Sequence, residues 1–244
     1  MNDAELAAHL ALTAGNILLK VRDSGVFSGK ALGVAGDEVA DRYLVNALRA
    51  QRPQDGILCE ESKDTLGRLG SSRVWIVDPV DGTREYGEGR DDWAVHVGLA
   101  VNGVAEVGAV ALPGLNGGVI LRSDRPQNLP PAAALPRIVV SRTRPAPEAM
   151  SVAETLGGEI IAMGSAGAKA MAIVRGEAEI YLHSGGQHEW DSCAPVAVAR
   201  AYGLHCSRID GSPLSYNRKD TYLPDLLICR PELARRTLRL VSEM

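Results

Sequence analysis

Two carboxylates that lie three residues apart are the first candidates for catalytic or metal-binding residues in this chain. Asp78 and Asp81 follow an apolar, strand-like run and enclose a proline, and a glycine comes directly after them. Proline biases the residue before it towards extended backbone, so we expect the strand to end at Asp78. The glycine permits a turn that brings both carboxylates beside the N–H groups of Gly82 and Thr83, an arrangement that suits Mg²⁺ bridging protein and phosphate. An ordinary turn is the alternative, because Asp-Pro and Asp-Gly pairs are common in turns.

Further carboxylates could complete such a site. Glu60 and Glu61 end a short apolar run, and one of them can face the site while the other faces water, because neighbouring strand side chains point to opposite faces. Asp37 and Asp191 each begin a predicted helix, where an N-cap carboxylate could also face a metal; a plain helix cap is the alternative for both. Two carboxylates about 5 Å apart repel by roughly 3 kcal/mol at an effective dielectric near 20, so a cluster needs protons or cations. Oxygen ligands without histidine or thiolate favour Mg²⁺ over Zn²⁺.

Two other segments could bind the anionic part of a substrate. Gly164 and Ser165 begin a predicted helix of small residues, and Lys169 lies one turn further on, where it either binds an anion or is solvated. The basic run at 141–144 is either a solvated surface or the contact for a second anionic group. The sequence lacks the patterns typical of Walker-type NTPases, zinc proteases, dinucleotide-binding folds and serine hydrolases.

The composition excludes several other classes of protein. The 244 residues carry a net charge of -4, with 45% hydrophobic and 23% charged residues, which argues against a nucleic-acid partner. Four cysteines without a CxxC pair predict neither a disulfide scaffold nor a thiolate zinc site, and they favour a reducing cytoplasm. The N-terminus is acidic and no apolar run approaches membrane-spanning length, so we expect no signal peptide, no transmembrane segment and no membrane partner.

The elements that must position these residues can be read from hydrophobic periodicity. In the N-terminal part we predict helices at 3–21 and from about Asp37 to before Pro53, and a glycine-rich loop at 25–36. Predicted strands follow at 57–59, 73–77, 93–101, 104–112 and 119–122. Asn102-Gly103 predicts a hairpin between the two longest strands. His96 is predicted to be a packed sheet histidine, because nothing near it supplies the partners of a metal ligand.

A segment rich in proline and alanine, at 124–136, is the predicted boundary between two halves, 1–136 and 137–244. Beyond it we predict strands at 137–141, 159–163, 178–182, 204–208 and 225–229, helices at about 147–156, 164–175, 191–202 and 231–243, and a loop at 183–187. The pattern favours a layered sandwich of α+β and α/β type. Its N-terminal half would be an antiparallel sheet with two helices, and its C-terminal half a mixed α/β unit.

Three motifs, in this order, resemble the inositol monophosphatase superfamily of Mg²⁺-dependent, lithium-sensitive phosphatases. They are Glu60-Glu61-Ser62, Asp78-Pro79-Val80-Asp81-Gly82-Thr83 and Trp190-Asp191. The run Thr83-Arg84-Glu85-Tyr86 is similar to the CysQ branch of that superfamily, whose members act on 3′-phosphoadenosine 5′-phosphate (PAP). The resemblance implies a sugar-phosphatase fold with αβαβα layers. One departure is the segment before Asp37, which lacks the threonine usual in the family.

The resemblance also implies a role for each motif residue. Glu60, Asp78 and the carbonyl of Val80 would hold one Mg²⁺, and Asp78, Asp81 and Asp191 a second, with two or three ions per active site. The catalytic residues would be Asp37, Thr83 and Glu60, the first two by orienting the attacking water and helping to deprotonate it. Substrate contacts are implied for Asp81, Gly82, Thr83, Arg84, Ser141, Arg142, Gly164, Ser165, Lys169 and Asp191.

The activity implied by the resemblance is hydrolysis of the 3′-phosphate of PAP to AMP and phosphate, in sulfur assimilation. The alternatives are inositol monophosphatase or fructose 1,6-bisphosphatase activity and, from a different class, a metal-binding regulatory protein without turnover. The implied partner is a small phosphate ester, and a homodimer is compatible with the family.

Overall fold

The computed structural model describes residues 1–115 and 117–244. Within these residues it has seven α-helices and ten β-strands. The helices are α1 (Asp3–Asp23), α2 (Gly29–Gln51), α3 (Thr83–Gly87), α4 (Pro147–Leu156), α5 (Ala166–Val174), α6 (Glu189–Ala201) and α7 (Pro231–Ser242). The strands are β1 (Gly56–Cys59), β2 (Arg73–Asp81), β3 (Ala94–Val101), β4 (Val104–Leu112), β5 (Val119–Arg122), β6 (Arg137–Ser141), β7 (Glu159–Met163), β8 (Ile180–His188), β9 (His205–Ser207) and β10 (Tyr222–Cys229). None of the helices in the described ranges has the length and apolar character needed to cross a membrane.

The first sheet has the strand order β1-β2-β3-β4-β5. β1 is parallel to β2 and the other neighbours are antiparallel, so the predicted antiparallel sheet has one parallel edge strand. Asn102 and Gly103 adopt φ angles of 50° and 80° between β3 and β4, as a tight hairpin requires. Residues of β3 are buried on both faces of the sheet, Val95 and Val97 with the helices α1 and α2, and Ala94 with the helices between the sheets.

The second sheet has the order β7-β6-β8-β10-β9 and is mixed, because β6 is parallel to both neighbours and β10 antiparallel to both of its own. Helices α1 and α2 cover the outer face of the first sheet, α5 and α6 lie between the sheets, and α4 and α7 cover the outer face of the second. This αβαβα arrangement confirms the predicted fold class. The segment at 124–136 joins the sheets without helix or strand, and a domain boundary there stays a prediction.

The central helix α6 packs very closely against the first sheet. A Cβ atom at Gly98 would lie 2.9 Å from the Ala194 nitrogen, and one at Gly108 would lie 2.3 Å from the Ala194 carbonyl oxygen. Real Cβ atoms do not approach backbone this closely, so glycine at both positions lets the first turns of α6 rest directly on β3 and β4. The position of α6 is therefore fixed relative to the first sheet.

The predicted loop at 25–36 was wrong. α2 begins at Gly29, so most of this segment is helix and Asp37 lies inside the helix, not at its N-cap. Glycine has low intrinsic helix propensity, which is why the segment looks like a loop in sequence. Tertiary packing overrides that preference here, because Gly33 and Gly36 pack closely against Thr83 and Tyr86.

Two strand ends also differ from the prediction. β2 does not stop at Asp78 but continues to Asp81, with a shift in its register to β3 between the two residues. β8 continues through the predicted loop at 183–187 to His188, because its pairing with β10 extends that far. α6 begins directly after it, so Asp191 is the third helical residue and not the N-cap.

Candidate active site

The two carboxylates of β2 point to the same side because the strand is irregular between them. Asp78 pairs with His96 and Asp81 with Ala94, so β2 has one more residue than β3 in this interval. In a regular strand residues three apart point to opposite faces, and a bulge of one residue restores a common face. Both side chains are buried, with 1% and 6% exposure respectively. The sequence-based prediction that they share one space is confirmed.

Asp191 joins them from the other half of the chain. Carboxylate oxygens of Asp78, Asp81 and Asp191 all lie within 4.8 Å of one another. A backbone hydrogen bond of 2.6 Å from the His188 N–H to Asp191 Oδ2 holds the third carboxylate at the start of α6. Three of the four acidic residues predicted as ligands therefore converge around one point.

Glu60 adds a fourth acidic group beside this cluster. Burial raises the pKa of Asp78 well above its ordinary value, and the charges of Glu60 and Asp81 raise it further. Burial and then the charge of Asp81 raise the pKa of Asp191 to about 7. The pKa of Glu60 is also raised to about 7, first by burial, although solvent reaches this side chain more than the other three and screens its charge.

These donors fit a divalent cation. Among the described residues neither Asp78 nor Asp191 has a salt bridge with a basic side chain, so ionising both carboxyl groups together costs free energy unless a cation is present. The donor atoms are all oxygens, which suit Mg²⁺ better than Zn²⁺.

The raised pKa values predict how stability changes with pH. A carboxyl group whose pKa is raised by folding stabilises the protein fully below its unfolded pKa, near 4, and that contribution is lost as the pH rises through about 7. We expect the free energy of unfolding of the protein in EDTA to fall by about 3 kcal/mol between pH 5 and pH 7.5, since each pKa unit corresponds to about 1.4 kcal/mol. Urea unfolding at the two pH values measures it. Saturating Mg²⁺ should reduce the difference, and a flat or rising profile in EDTA would contradict the prediction.

The hydroxyl of Thr83 lies between two oxygen atoms at the edge of the cluster. Its Oγ1 is 3.3 Å from Asp37 Oδ1 and 3.0 Å from the carbonyl oxygen of Val80. Burial, and then the charge of Glu61, raise the pKa of Asp37 to about 7. A carboxyl group with such a pKa can accept a proton near neutral pH, which is the property that a general base needs.

Two glycines of α2 allow Asp37 to reach Thr83. A Cβ at Gly33 would lie 2.7 Å from Thr83 Cγ2, and one at Gly36 would lie 2.6 Å from Tyr86 Cε1. Gly33 and Gly36 stand one helical turn apart, so α2 presents a flat face to α3. The segment that departs from the family pattern thus places Asp37 by close helix packing.

The start of α5 surrounds the carboxylate of Asp81. Ser165 Oγ donates to Oδ2 at 2.5 Å, and the N–H groups of Ala166 and Gly167 donate at 3.0 Å and 2.6 Å. Burial would raise the pKa of Asp81, but His96, the Ser165 hydroxyl and the charge of Lys169 outweigh it and lower the pKa to about 2. Asp81 is therefore ionised near neutral pH, whereas the pKa values of its acidic neighbours are raised.

A cavity of about 310 Å³ adjoins the carboxylates. Its walls include Asp81, Gly82, Thr83, Arg84, Glu85, Asp191, the segment 141–144, the segment 164–166, Lys169, His183, Gly186 and Gln187. All the residues predicted to bind substrate line this one cavity. Burial and the nearby charge of Lys169 lower the pKa of His183 to about 4, so this side chain adds no positive charge at neutral pH.

The basic residues of the cavity differ in how they are held. Lys169 is buried and donates to the carbonyl oxygens of Gly164 and Ser165 at 2.9 Å and 2.6 Å, so the solvated alternative is wrong. Arg142 donates to Glu85 Oε1 at 2.6 Å, and its guanidinium is thereby partly neutralised. Among the residues that the structure describes, Arg144 forms no salt bridge.

Sequence reasoning missed the role of His96. The side chain is fully buried in β3, which confirms the prediction of a packed sheet histidine, but its Nε2 atom also lies 3.1 Å from Asp81 Oδ2. The available signal was a single polar side chain on the face of β3 whose other residues are small. Its neighbour across the strands could not be read from sequence spacing.

Comparisons with known proteins agree with this geometry. The model of the inositol monophosphatase family matches residues 4–243. A protein named 3′-phosphoadenosine 5′-phosphate phosphatase from Mycobacterium leprae is 47% identical and covers 100% of this chain and 95% of its own length. A protein of the same name from Mycobacterium tuberculosis is 50% identical over 91% of this chain and 86% of its own.

Solved structures support the same assignment. CysQ from Bacteroides thetaiotaomicron superimposes with a TM-score of 0.79 at 25% identity, covering 93% of this chain and 97% of its own. An inositol monophosphatase from Anabaena superimposes with a TM-score of 0.78 at 23% identity, over 99% and 95% of the two chains, and shares the fold. Because the family model matches nearly the whole chain and these relatives align with most of it, the chain belongs to the inositol monophosphatase family.

Proposed function

We propose that this chain is a Mg²⁺-dependent phosphatase that hydrolyses the 3′-phosphate of PAP to AMP and phosphate, in sulfur assimilation. The observation that carries the proposal is one cavity with a carboxylate cluster on one wall and arginines on another. PAP has one phosphate to be cleaved and a second to be recognised, so it needs both walls. The relatives named as PAP phosphatases support the proposal because they align with most of the chain.

In the proposed reaction the residues of the site would have three roles, which are to hold the cations, to activate the water and to bind the phosphate. Cations would be held by Glu60, Asp78, Asp81, Asp191 and the carbonyl of Val80. When bound, two or three Mg²⁺ ions would offset the charge of the ester, lower the pKa of the attacking water and stabilise the leaving alkoxide. Thr83 and Asp37 would orient the water and take its proton, and the N–H groups of Gly82 and Thr83 would hold the phosphate in line for displacement.

The remaining cavity residues would bind the nucleotide. Arg84, Ser141 and Arg142 would contact its polar groups from two walls. Gly164, Ser165 and Lys169 would form the third wall, where the ammonium group contributes positive charge close to the ester. From its membership of the family we also propose that the enzyme is inhibited by lithium, lies in the cytoplasm and forms a homodimer.

Arg144 is the residue that we expect to bind the second phosphate of PAP, the one that is not cleaved. Its guanidinium borders the cavity beside Gly186, where a Cβ would lie 3.2 Å from Nη1. Because it has no carboxylate partner among the described residues, it is free to bind an anion, and a charged hydrogen bond of about 1.5 kcal/mol corresponds to roughly tenfold. We expect Arg144→Gln to lower kcat/KM for PAP about tenfold while leaving kcat/KM for 3′-AMP, which lacks the second phosphate, unchanged.

Steady-state kinetics with both nucleotides measure this difference. Arg235→Gln, which changes an exposed arginine of α7 on the far face of the molecule, is the matched control and should alter neither value. Equal losses for PAP and 3′-AMP would remove Arg144 from recognition of the second phosphate.

The proposal as a whole is tested by comparing kcat/KM for PAP, inositol 1-phosphate and fructose 1,6-bisphosphate, each with Mg²⁺ and with EDTA. PAP should be preferred by at least about tenfold, and EDTA should abolish turnover. A preference for either sugar phosphate would support the alternative enzyme activities. Tight Mg²⁺ binding without turnover of any of the three would support the regulatory alternative.

A further inference from the structure

His96 contacts two segments that carry carboxylates of the active site. The side chain projects from β3 into the layer between the sheets and is 0% exposed. Its Nδ1 lies 3.0 Å from the carbonyl oxygen of Trp190, the residue directly before Asp191. Its Nε2 lies 3.1 Å from Asp81 Oδ2, an ion-pair distance, and the described residues give it no hydrogen-bond partner of good geometry. One imidazole ring therefore bridges the end of β2 and the start of α6.

The first turn of α5 is built around this ring. A Cβ at position 167 would lie 2.0 Å from His96 Nε2, so only glycine permits the helix and the imidazole to occupy their positions together. The N–H of Gly167 donates to the same oxygen of Asp81 that the imidazole contacts. The histidine, the glycine and the carboxylate thus form one packed unit.

The two carboxylate oxygens of Asp81 have different numbers of contacts in this unit. Oδ2 receives Ser165 Oγ and the Gly167 N–H in addition to the contact with His96. Oδ1 receives only the N–H of Ala166, at 3.0 Å. A carboxylate oxygen accepts about two hydrogen bonds, so Oδ2 is saturated and Oδ1 retains a free lone pair.

We propose that His96 is a positioning residue that fixes the rotation of the Asp81 carboxylate, so that Oδ1 is the oxygen presented to a divalent cation. The inference rests on the proposed function, because it requires the carboxylate cluster to bind that cation. Partners that hold a ligand carboxylate in place change metal affinity without touching the metal, by about 10–100-fold when removed. The same ring also contacts the Trp190 carbonyl oxygen through Nδ1, and the test must separate this contact from the one with Asp81.

Two substitutions separate the contacts of the ring. The amide nitrogen of a glutamine at position 96 can reach the place of Nε2, and that of an asparagine the place of Nδ1. We expect His96→Asn to weaken Mg²⁺ binding about tenfold and His96→Gln to leave it within about threefold of wild type. Isothermal titration calorimetry with Mg²⁺ in the absence of substrate measures the affinity, and melting in EDTA reports the stability of the fold. Turnover of PAP should fall in the same order, in kcat more than in KM.

Each outcome decides the proposal. Weaker Mg²⁺ binding in the asparagine variant, with near-normal binding in the glutamine variant, supports it. Unchanged or tighter binding in His96→Asn overturns it, because Mg²⁺ would then bind equally well without the contact at Asp81 Oδ2. Equal losses of affinity and melting temperature in both variants also overturn it and leave His96 with a packing role.

Two controls keep the result interpretable. If His96→Asn fails to fold, Ser165→Ala decides, since it removes another donor to Oδ2 and should weaken Mg²⁺ binding in the same direction. Failure of the wild-type protein to bind Mg²⁺ at all would instead refute the metal site of the proposed function, and this inference with it.

Discussion

Replacing Asp78 by asparagine should abolish turnover of PAP while leaving the fold intact. Asp78 is the most buried of the clustered carboxylates, and charges of Glu60, Asp81 and Asp191 all act on it. Asparagine replaces one carboxylate oxygen by an NH₂ group and removes the charge that would hold both proposed cations. Loss of several kcal/mol of transition-state stabilisation corresponds to a decrease in kcat of about a thousandfold or more. The measurement is kcat at saturating Mg²⁺.

The same variant should be at least as stable as wild type in EDTA. A neutral amide avoids burying a charge at this position and removes its repulsion by Glu60 and Asp81, so the melting temperature without metal should stay the same or rise. Glu106→Gln, at an exposed position of β4, is the matched control and should retain full activity. Near wild-type kcat in Asp78→Asn would refute the proposed mechanism, and a collapse of the fold would show that the carboxylate is needed for structure.

Thr83→Ala should lower kcat about a hundredfold and leave Mg²⁺ affinity nearly unchanged. The Thr83 hydroxyl lies 3.3 Å from Asp37 Oδ1, and in the proposed mechanism it would orient the attacking water towards that carboxylate. It is not among the carboxylate oxygens of the cluster. Loss of a positioned proton-transfer group lowers rates by about 10²–10⁴-fold. Single-turnover kinetics together with Mg²⁺ titration separate the two quantities.

Thr83→Ser is the control for this experiment. It keeps the hydroxyl and removes only the methyl group that packs against Gly33, so it should retain most of the activity. An alanine variant as active as the serine variant would exclude Thr83 from proton transfer. A parallel loss of Mg²⁺ affinity would place its role in metal binding instead.

The local part of the site could be predicted from the sequence because its residues are contiguous. Asp78 and Asp81 lie three residues apart beside a proline and a glycine, and those residue types restrict the backbone enough to bring both carboxylates to one side. The hairpin at Asn102-Gly103 was predictable for the same reason. The fold class followed from the alternation of strands and helices and from the family resemblance.

The nonlocal part could not be predicted, because it depends on contacts between distant segments. The glycines of α2 look like loop residues until their packing against Thr83 and Tyr86 is known. The contact of His96 with Asp81 depends on the register between β2 and β3, which the spacing of residues along either strand does not encode. The ion pair between Arg142 and Glu85 similarly joins segments from the two halves of the chain.

The close seating of α6 on Gly98 and Gly108 has a consequence for how this kind of molecule can diversify. Asp191 comes from the second half of the chain, yet its helix is anchored on the sheet that carries Asp78 and Asp81. The distances between the acidic groups therefore do not depend on the residues at the rim of the cavity, which belong to the segments 141–144 and 183–187. Substitutions in these two segments can therefore change the substrate preference while the carboxylate cluster underneath keeps its geometry.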